Sequence, residues 1–197
     1  MKSTKIIIVS CMLLTAIAAS AQSEKGTISF IPRIGMTLAN LTDMDIYVDA
    51  NDKSKAQSKV GLTIGGDVEY IVMPKLGVSL GAYYSMQGCR NKKVLNYEGG
   101  NTTLQYINFP LMLNGYIGYG FALHAGVQLG VKAGEKTILT DKKFFKSTDV
   151  SIPLGISYEY ERFIIDARYN LGISDVVKSD YMKSKNMVFV LSLGYRI

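Results

Sequence analysis

From Met187 to Ile197 the chain alternates strictly: Met187, Phe189, Leu191, Leu193, Tyr195 and Ile197 are large and apolar, whereas Val188, Val190, Ser192, Gly194 and Arg196 are mostly smaller or polar. A period of two is that of a β-strand, whose successive side chains point to opposite faces. The apolar face runs to the last residue of the sequence and carries aromatics toward its ends. A strand with lipid on one side and a polar barrel interior on the other has this composition.

Seven further segments repeat the signal. Phe163–Ser174 sets Phe163, Ile165, Ala167, Tyr169, Leu171 and Ile173 against Asp166, Arg168, Asn170, Gly172 and Ser174. Val150–Tyr160 sets Val150, Ile152, Leu154, Ile156, Tyr158 and Tyr160 against Ser151, Gly155, Ser157 and Glu159. The same parity turns His124, Gln128 and Lys132 inward from Phe121–Ala133, Arg33 from Ile28–Ala39, and Asp67 and Glu69 from Val60–Val72. Leu76–Gln87 turns in Ser79, Tyr83, Ser85 and Gln87. Leu104–Ile117 alternates less cleanly, because Pro110 brings no amide to a ladder, which predicts a local irregularity there. Each segment meets or exceeds the roughly 9–11 residues of a tilted spanning strand. The predicted fold class is therefore all-β, an eight-stranded antiparallel up-and-down transmembrane β-barrel.

The connections sort into two kinds. Met73-Pro74-Lys75, Gly118-Tyr119-Gly120 and Glu161-Arg162 are tight, while the stretches around 40–59, 88–103, 134–149 and 175–186 are longer and polar. Outer-membrane barrels have short periplasmic turns and longer external loops, so the tight turns and both termini belong on the periplasmic side. A soluble ligand-binding barrel would bury the apolar face instead, and nothing in it calls for this asymmetry.

The opening segment has Lys2 and Lys5, an apolar run from Ile6 to Ala18, and Ala19-Ser20-Ala21, the small-x-small pattern that signal peptidase cuts. It predicts a cleaved signal peptide over residues 1–21 and a barrel domain over 22–197, starting at Gln22. A lipoprotein site at Cys11 is disfavoured, since only Ile6 to Val9 stand ahead of it as a core. Cleavage removes Lys2 and Lys5, lowering the formal net charge of +6 by two, and leaves Cys89 as the single thiol, with no intramolecular disulfide to form. Beyond the signal, no apolar run approaches the roughly 20 residues of a membrane helix. The basic residues are dispersed and do not interleave with aromatics, so nucleic acid is not an expected partner. Nothing in the sequence requires a cofactor or a metal.

Three stretches have a familiar form: Ile34-Gly35-Met36-Thr37-Leu38-Ala39-Asn40-Leu41, Tyr106-Ile107-Asn108-Phe109-Pro110-Leu111-Met112-Leu113 and Asp166-Ala167-Arg168-Tyr169-Asn170-Leu171-Gly172-Ile173. Together they resemble the PorT-like outer-membrane β-barrel family, along essentially the whole chain after the signal and most specifically in the later strands. Ile197 stands where such barrels often end in an aromatic. The resemblance implies a small barrel in the outer membrane and no common activity, because its members are mostly described only as porin-like or by domain. A fold does not fix a function.

If the parity holds, the lumen contains Asp67, Glu69, Glu159 and Asp166 together with Arg33, Lys132, Arg168 and Arg196, an even balance of acid and base. An eight-stranded barrel is only wide enough for its side chains to fill, so a salt-bridged structural plug is expected in preference to an aqueous channel. The alternative is a narrow porin passing ions or small solutes. His124, the sole histidine, falls just after the Gly118-Tyr119-Gly120 turn, away from the external rim, and the sequence sets no serine beside it. No catalytic constellation is legible, and no enzyme activity is expected.

The first long loop holds Asp43, Asp45, Asp49, Asn51 and Asp52, whose spacing does not match an EF-hand, so it reads as a solvated acidic loop. The third gathers Lys142, Lys143 and Lys146 around Phe144 and Phe145, with Lys136 nearby. Such a group could touch lipopolysaccharide phosphates or a protein of the envelope. The sequence thus points to a structural, binding or envelope-assembly accessory role exercised through external loops, with outer-membrane lipid and lipopolysaccharide as the surroundings.

Overall fold

The computed structural model describes residues 25–41, 46–49, 52–54, 57–90, 101–136, 146–175 and 185–197. The expected signal peptide, residues 1–21, lies outside them. Ten strands follow in order: β1 (Ile28–Leu41), β2 (Ile46–Asp49), β3 (Asp52–Ser54), β4 (Gln57–Met73), β5 (Leu76–Arg90), β6 (Asn101–Gly118), β7 (Phe121–Lys136), β8 (Thr148–Tyr160), β9 (Phe163–Asp175) and β10 (Lys185–Tyr195). Eight of them form one closed antiparallel barrel, each beside its chain neighbour, with β1 pairing both β4 and β10. The short strands β2 and β3 pair with each other inside the first long connection, Asp49 opposite Asp52.

The eight barrel strands are the eight predicted segments, extended toward the long connections by one to three residues, with β10 ending at Tyr195, two residues before the predicted Ile197. Turns of two residues join β4 to β5, β6 to β7 and β8 to β9. At Tyr119 and Gly120 both φ angles are positive (53° and 82°), the conformation that matches the twist of a two-residue hairpin. A Cβ on Gly120 would also collide with the carbonyl oxygen of Glu159, so that turn needs its glycine.

The outer face is a belt of exposed apolar side chains. It runs over 28–38 in β1, 60–70 in β4, 107–117 in β6, 121–131 in β7 and 163–173 in β9, eleven residues each time. That is the length a tilted strand needs to cross hydrocarbon. Tyr70, Tyr119, Phe121, Tyr160, Phe163 and Tyr195 gather at the tight-turn edge of the belt, where Phe121 meets Tyr158 and Phe163 meets Tyr195 at ring separations of 4.9 and 5.1 Å. Amphipathic rings at such an edge sit at the level of lipid headgroups.

At the other edge the ladders continue past the belt. The stretch from Asn101 to Tyr106, read from the sequence as loop followed by strand, pairs with β5 as far as Arg90 opposite Asn101. Its polar residues gave no alternation to read, yet neighbouring backbone sustains the ladder. The long connections are correspondingly shorter than expected, and β5, β6 and β7 rise beyond the lipid belt as a continuous wall.

Pro110 does interrupt pairing. The β5–β6 ladder skips Gly81 and Ala82 opposite Phe109 and Pro110, with unchanged register on either side. Pro153 stands in a like gap between β7 and β8, and Pro32 in one between β1 and β10. Each missing amide removes one ladder bond without a bulge, so the facing of every strand survives.

Because Leu111 faces outward in mid-belt, Leu111→Arg is expected to destabilise the barrel in lipid vesicles by about 2–4 kcal/mol, the midplane penalty for a cation. Urea unfolding followed by tyrosine fluorescence measures it. A neutral effect would mean that this face does not meet hydrocarbon.

Candidate functional site

The inward side chains form three polar layers. The layer nearest the tight turns centres on Arg196, which follows β10. Its Nη1 donates to Glu69 Oε2 at 2.6 Å, while its Nε and Nη2 grip the Glu159 carboxylate at 2.7 and 2.8 Å. Tyr116 donates its hydroxyl to Glu69 Oε1 at 2.6 Å, and Asn114 Nδ2 donates to the same oxygen. One guanidinium thus holds two carboxylates from different strands.

The middle layer contains Arg33, Asp67, Tyr83, Asp166 and Arg168. Arg33 Nε donates to Asp67 Oδ2 at 2.8 Å, and the Tyr83 hydroxyl donates to the same oxygen. Gly81 makes room for this, since a Cβ there would strike Asp67 Oδ1 and press on the Tyr83 ring. Asp166 has no solvent exposure and lies 3.2 Å from Arg168 Nη2 and 3.8 Å from Arg33 Nη1. Neither carboxylate oxygen of Asp166 makes a well-aligned hydrogen bond, nor do Arg33 Nη1, Asp67 Oδ1, Arg168 Nε and Asn170 Oδ1. A cavity of about 30 Å³ lies among Arg33, Tyr83, Asp166, Arg168 and Asn170. That is room for a water or two, ringed by the polar partners a water needs.

The outermost layer spans the lumen from β5 to β10. Asn186 Nδ2 donates to Gln87 Oε1 and to Asp149 Oδ2, while Ser174 Oγ donates to Asp149 Oδ1 at 2.9 Å and accepts from the Val150 amide at 2.7 Å.

Seven of the eight charged residues expected inside therefore meet in the inner two layers. Lys132 stands apart, bonded at 2.7 Å to Glu135, a residue the parity argument did not include. Asp149 was also missed, because only Thr148 precedes it in β8 and its partners lie on other strands. Of the basic loop group, Lys142, Lys143, Phe144 and Phe145 lie outside the described residues, and Lys146 is half-buried. Asp43, Asp45 and Asn51 also lie outside them.

His124 corrects one expectation. Its Nε2 is 2.8 Å from Ser157 Oγ and its Nδ1 is 2.8 Å from Asn114 Oδ1. The serine arrives by register: His124 pairs with Gly155, and Ser157 is two residues along on the same face of β8. Asn114 Nδ2 is engaged with Glu69 and Ser79, which turns its oxygen to the ring, so Nδ1 carries the hydrogen and Nε2 accepts from the serine hydroxyl. A serine, a histidine and an orienting amide in line are the parts of an acyl-transfer relay. Two features oppose that use. Asp166 Oδ2 lies 3.4 Å from Nε2, on the nitrogen that would serve as base, and the cavity beside Ser157 is about 20 Å³, too small for an acyl group. His124 instead bridges Ser157 of β8 to Asn114 of β6 within the bonded lumen.

The family model of the outer membrane protein beta-barrel domain matches residues 20–178. The chain belongs to this family. A search of curated protein sequences finds no match. Solved barrels of the same fold include Ail, the attachment invasion locus protein of Yersinia pestis (17% identity, TM-score 0.50, covering 88% of this chain and 100% of that one). OprG of Pseudomonas aeruginosa is similar at 17% identity and TM-score 0.52, covering 90% and 99%. Neisserial surface protein A is similar at 15% and 0.53, covering 85% and 96%. At these identities the likeness is one of fold. Ail has also been solved with the heparin analogue sucrose octasulfate.

Removing Arg168 leaves Asp166 buried with a distant Arg33, so Arg168→Ala is expected to lower stability by about 3–5 kcal/mol, read from denaturant midpoints of the refolded barrel. A variant as stable as the parent would mean that the pair contributes nothing. A fluorophosphonate probe is expected to leave Ser157 unlabelled in the folded protein, and labelling detected by intact mass would show that the relay is open.

Proposed function

We propose that this protein is a non-enzymatic outer-membrane barrel with a lumen closed by its own charged side chains, working through its external loops in a structural, binding or envelope-assembly accessory role. The observation that carries this reading is the lumen itself: three bonded layers cross it, and the cavities among the inner two have room for no more than a few water molecules. A solvated ion needs a continuous aqueous path, and these layers interrupt one.

The distribution of cations supports loops as the working surface. Three of the five arginines, Arg33, Arg168 and Arg196, belong to the lumen, whereas every lysine after Lys25 except Lys75 falls in a long connection or toward the strand ends that lead into one. Lysine is a flexible point charge suited to phosphates in varied positions. The partners that fit are lipopolysaccharide phosphates of the outer leaflet and an envelope protein. The narrower kinship with PorT-like barrels rests on the three sequence stretches quoted above, and cleavage after Ala21 on the small-x-small pattern.

Single-channel recording of the refolded, heat-modifiable chain in a planar bilayer tests the closed lumen. Silence is the expected outcome, and steady, salt-dependent openings would make it a narrow porin. Mass spectrometry of the protein recovered from outer membranes is expected to give a chain beginning at Gln22, and a mass retaining residues 1–21 would refute the signal assignment.

A further inference from the structure

The lumen cavities measure about 30 and 20 Å³, but the outer face of the barrel carries a groove of about 520 Å³. That lies within the roughly 300–1,000 Å³ of small-molecule sites. Its lining side chains are apolar: Pro32 and Ile34 from β1, Ile64 from β4, Phe163 from β9, and Leu193 and Tyr195 from β10. Arg33 also borders it, with its guanidinium bonded to Asp67 on the lumen side. The groove owes its depth to Pro32, which presents only a ring where Phe30 and Ile34 on either side present full side chains. Pro32 lies opposite Gly66, which presents nothing. The Phe30 ring leans over Gly66, within 3.1 Å of a Cβ placed there, and closes the dip on that side. It stays open along the seam of β1 with β10.

The groove's position along the belt names its occupant. It starts at the tight-turn edge, at Phe163 and Tyr195, and ends at Ile34 and Ile64, near the middle of the eleven-residue belt. Half of a hydrocarbon core about 30 Å thick is the depth of one leaflet. Tight turns are periplasmic in outer-membrane barrels, so the leaflet is the periplasmic one. The turn that leads into Phe163 offers one anion and one cation, Glu161 and Arg162, both exposed. Such a pair complements the ammonium and the phosphate of a zwitterionic headgroup. We infer that the groove holds an acyl chain of a zwitterionic phospholipid of the periplasmic leaflet, with its headgroup at the Glu161-Arg162 turn. Lipopolysaccharide enters from the opposite leaflet, where its chains meet the other half of the belt. This reading of the groove rests on the membrane setting of the belt, which Leu111→Arg tests separately, and it holds whether or not the lumen conducts.

The test is native mass spectrometry of the full refolded chain, released from detergent micelles doped with phosphatidylethanolamine or, separately, with lipid A, at collision energies that strip detergent. A single phosphatidylethanolamine is expected to stay on the wild type. It is expected to be lost from Pro32→Phe, whose ring fills the groove, and kept by Ala125→Phe, an outward change on β7 across the barrel. Should Pro32→Phe fail to refold, Ile64→Trp, which narrows the same groove from β4, is expected to lose the lipid. A wild type without the adduct, an adduct kept by both groove variants, or lipid A retained as well as phosphatidylethanolamine would overturn the assignment. A dimer in place of the adduct would give the groove to a second copy of the chain and overturn it too.

Discussion

A bilayer interior offers no water to a backbone amide, so every strand in the belt depends on its neighbour, and the first on the last. The pairing of β1 with β10, from Arg33 opposite Gly194 to Leu41 opposite Asn186, turns a meander into a wall without edges. Closure also sets the radius. With eight strands the enclosed space is as wide as the side chains that point into it, so each inward residue must be satisfied by others across a few ångströms. The ion pairs are therefore a consequence of closing a small sheet over polar side chains. They are not additions to a finished cylinder.

Within that constraint the lumen chooses its charges unevenly. Arginine supplies the inner layers, where Arg196 can grip Glu159 through two nitrogens and Glu69 through a third. A planar fork suits fixed carboxylates in a narrow space, and an ammonium would satisfy fewer of them. Neutral residues then extend the bonded network: Asn114 joins His124 to Glu69, and Gln87 joins Ser85 to Asn186. Removing a link of this kind should loosen both groups it joins.

Much of the architecture was legible in the sequence because a membrane strand obeys a two-residue rule over a fixed length. The facing of Phe189, Leu191 and Leu193, the turn at Tyr119-Gly120 and the disturbance at Pro110 all follow from local pattern. What stayed hidden depends on stagger between strands. Ser157 beside His124 and Asn186 reaching Gln87 and Asp149 across the lumen require knowing which residue faces which, and register shifts at Gln105/Tyr106 and Lys185/Met187 displace that count. The ends of β5, β6 and β7 were hidden for another reason: outside hydrocarbon, a strand has no apolar face to announce it.

The three prolines acquire a meaning beyond their local gaps. Pro32, Pro110 and Pro153 fall at three different seams of the wall, and at each the two strands are joined above and below but not through the proline's own amide. Along a strand the chain is covalent and stiff. Around the circumference it is stitched only by amide bonds, and three seams each lack one. The wall is thus one stitch short at three places around its circumference, while the register on either side of each gap keeps every strand fixed against slipping past its neighbour.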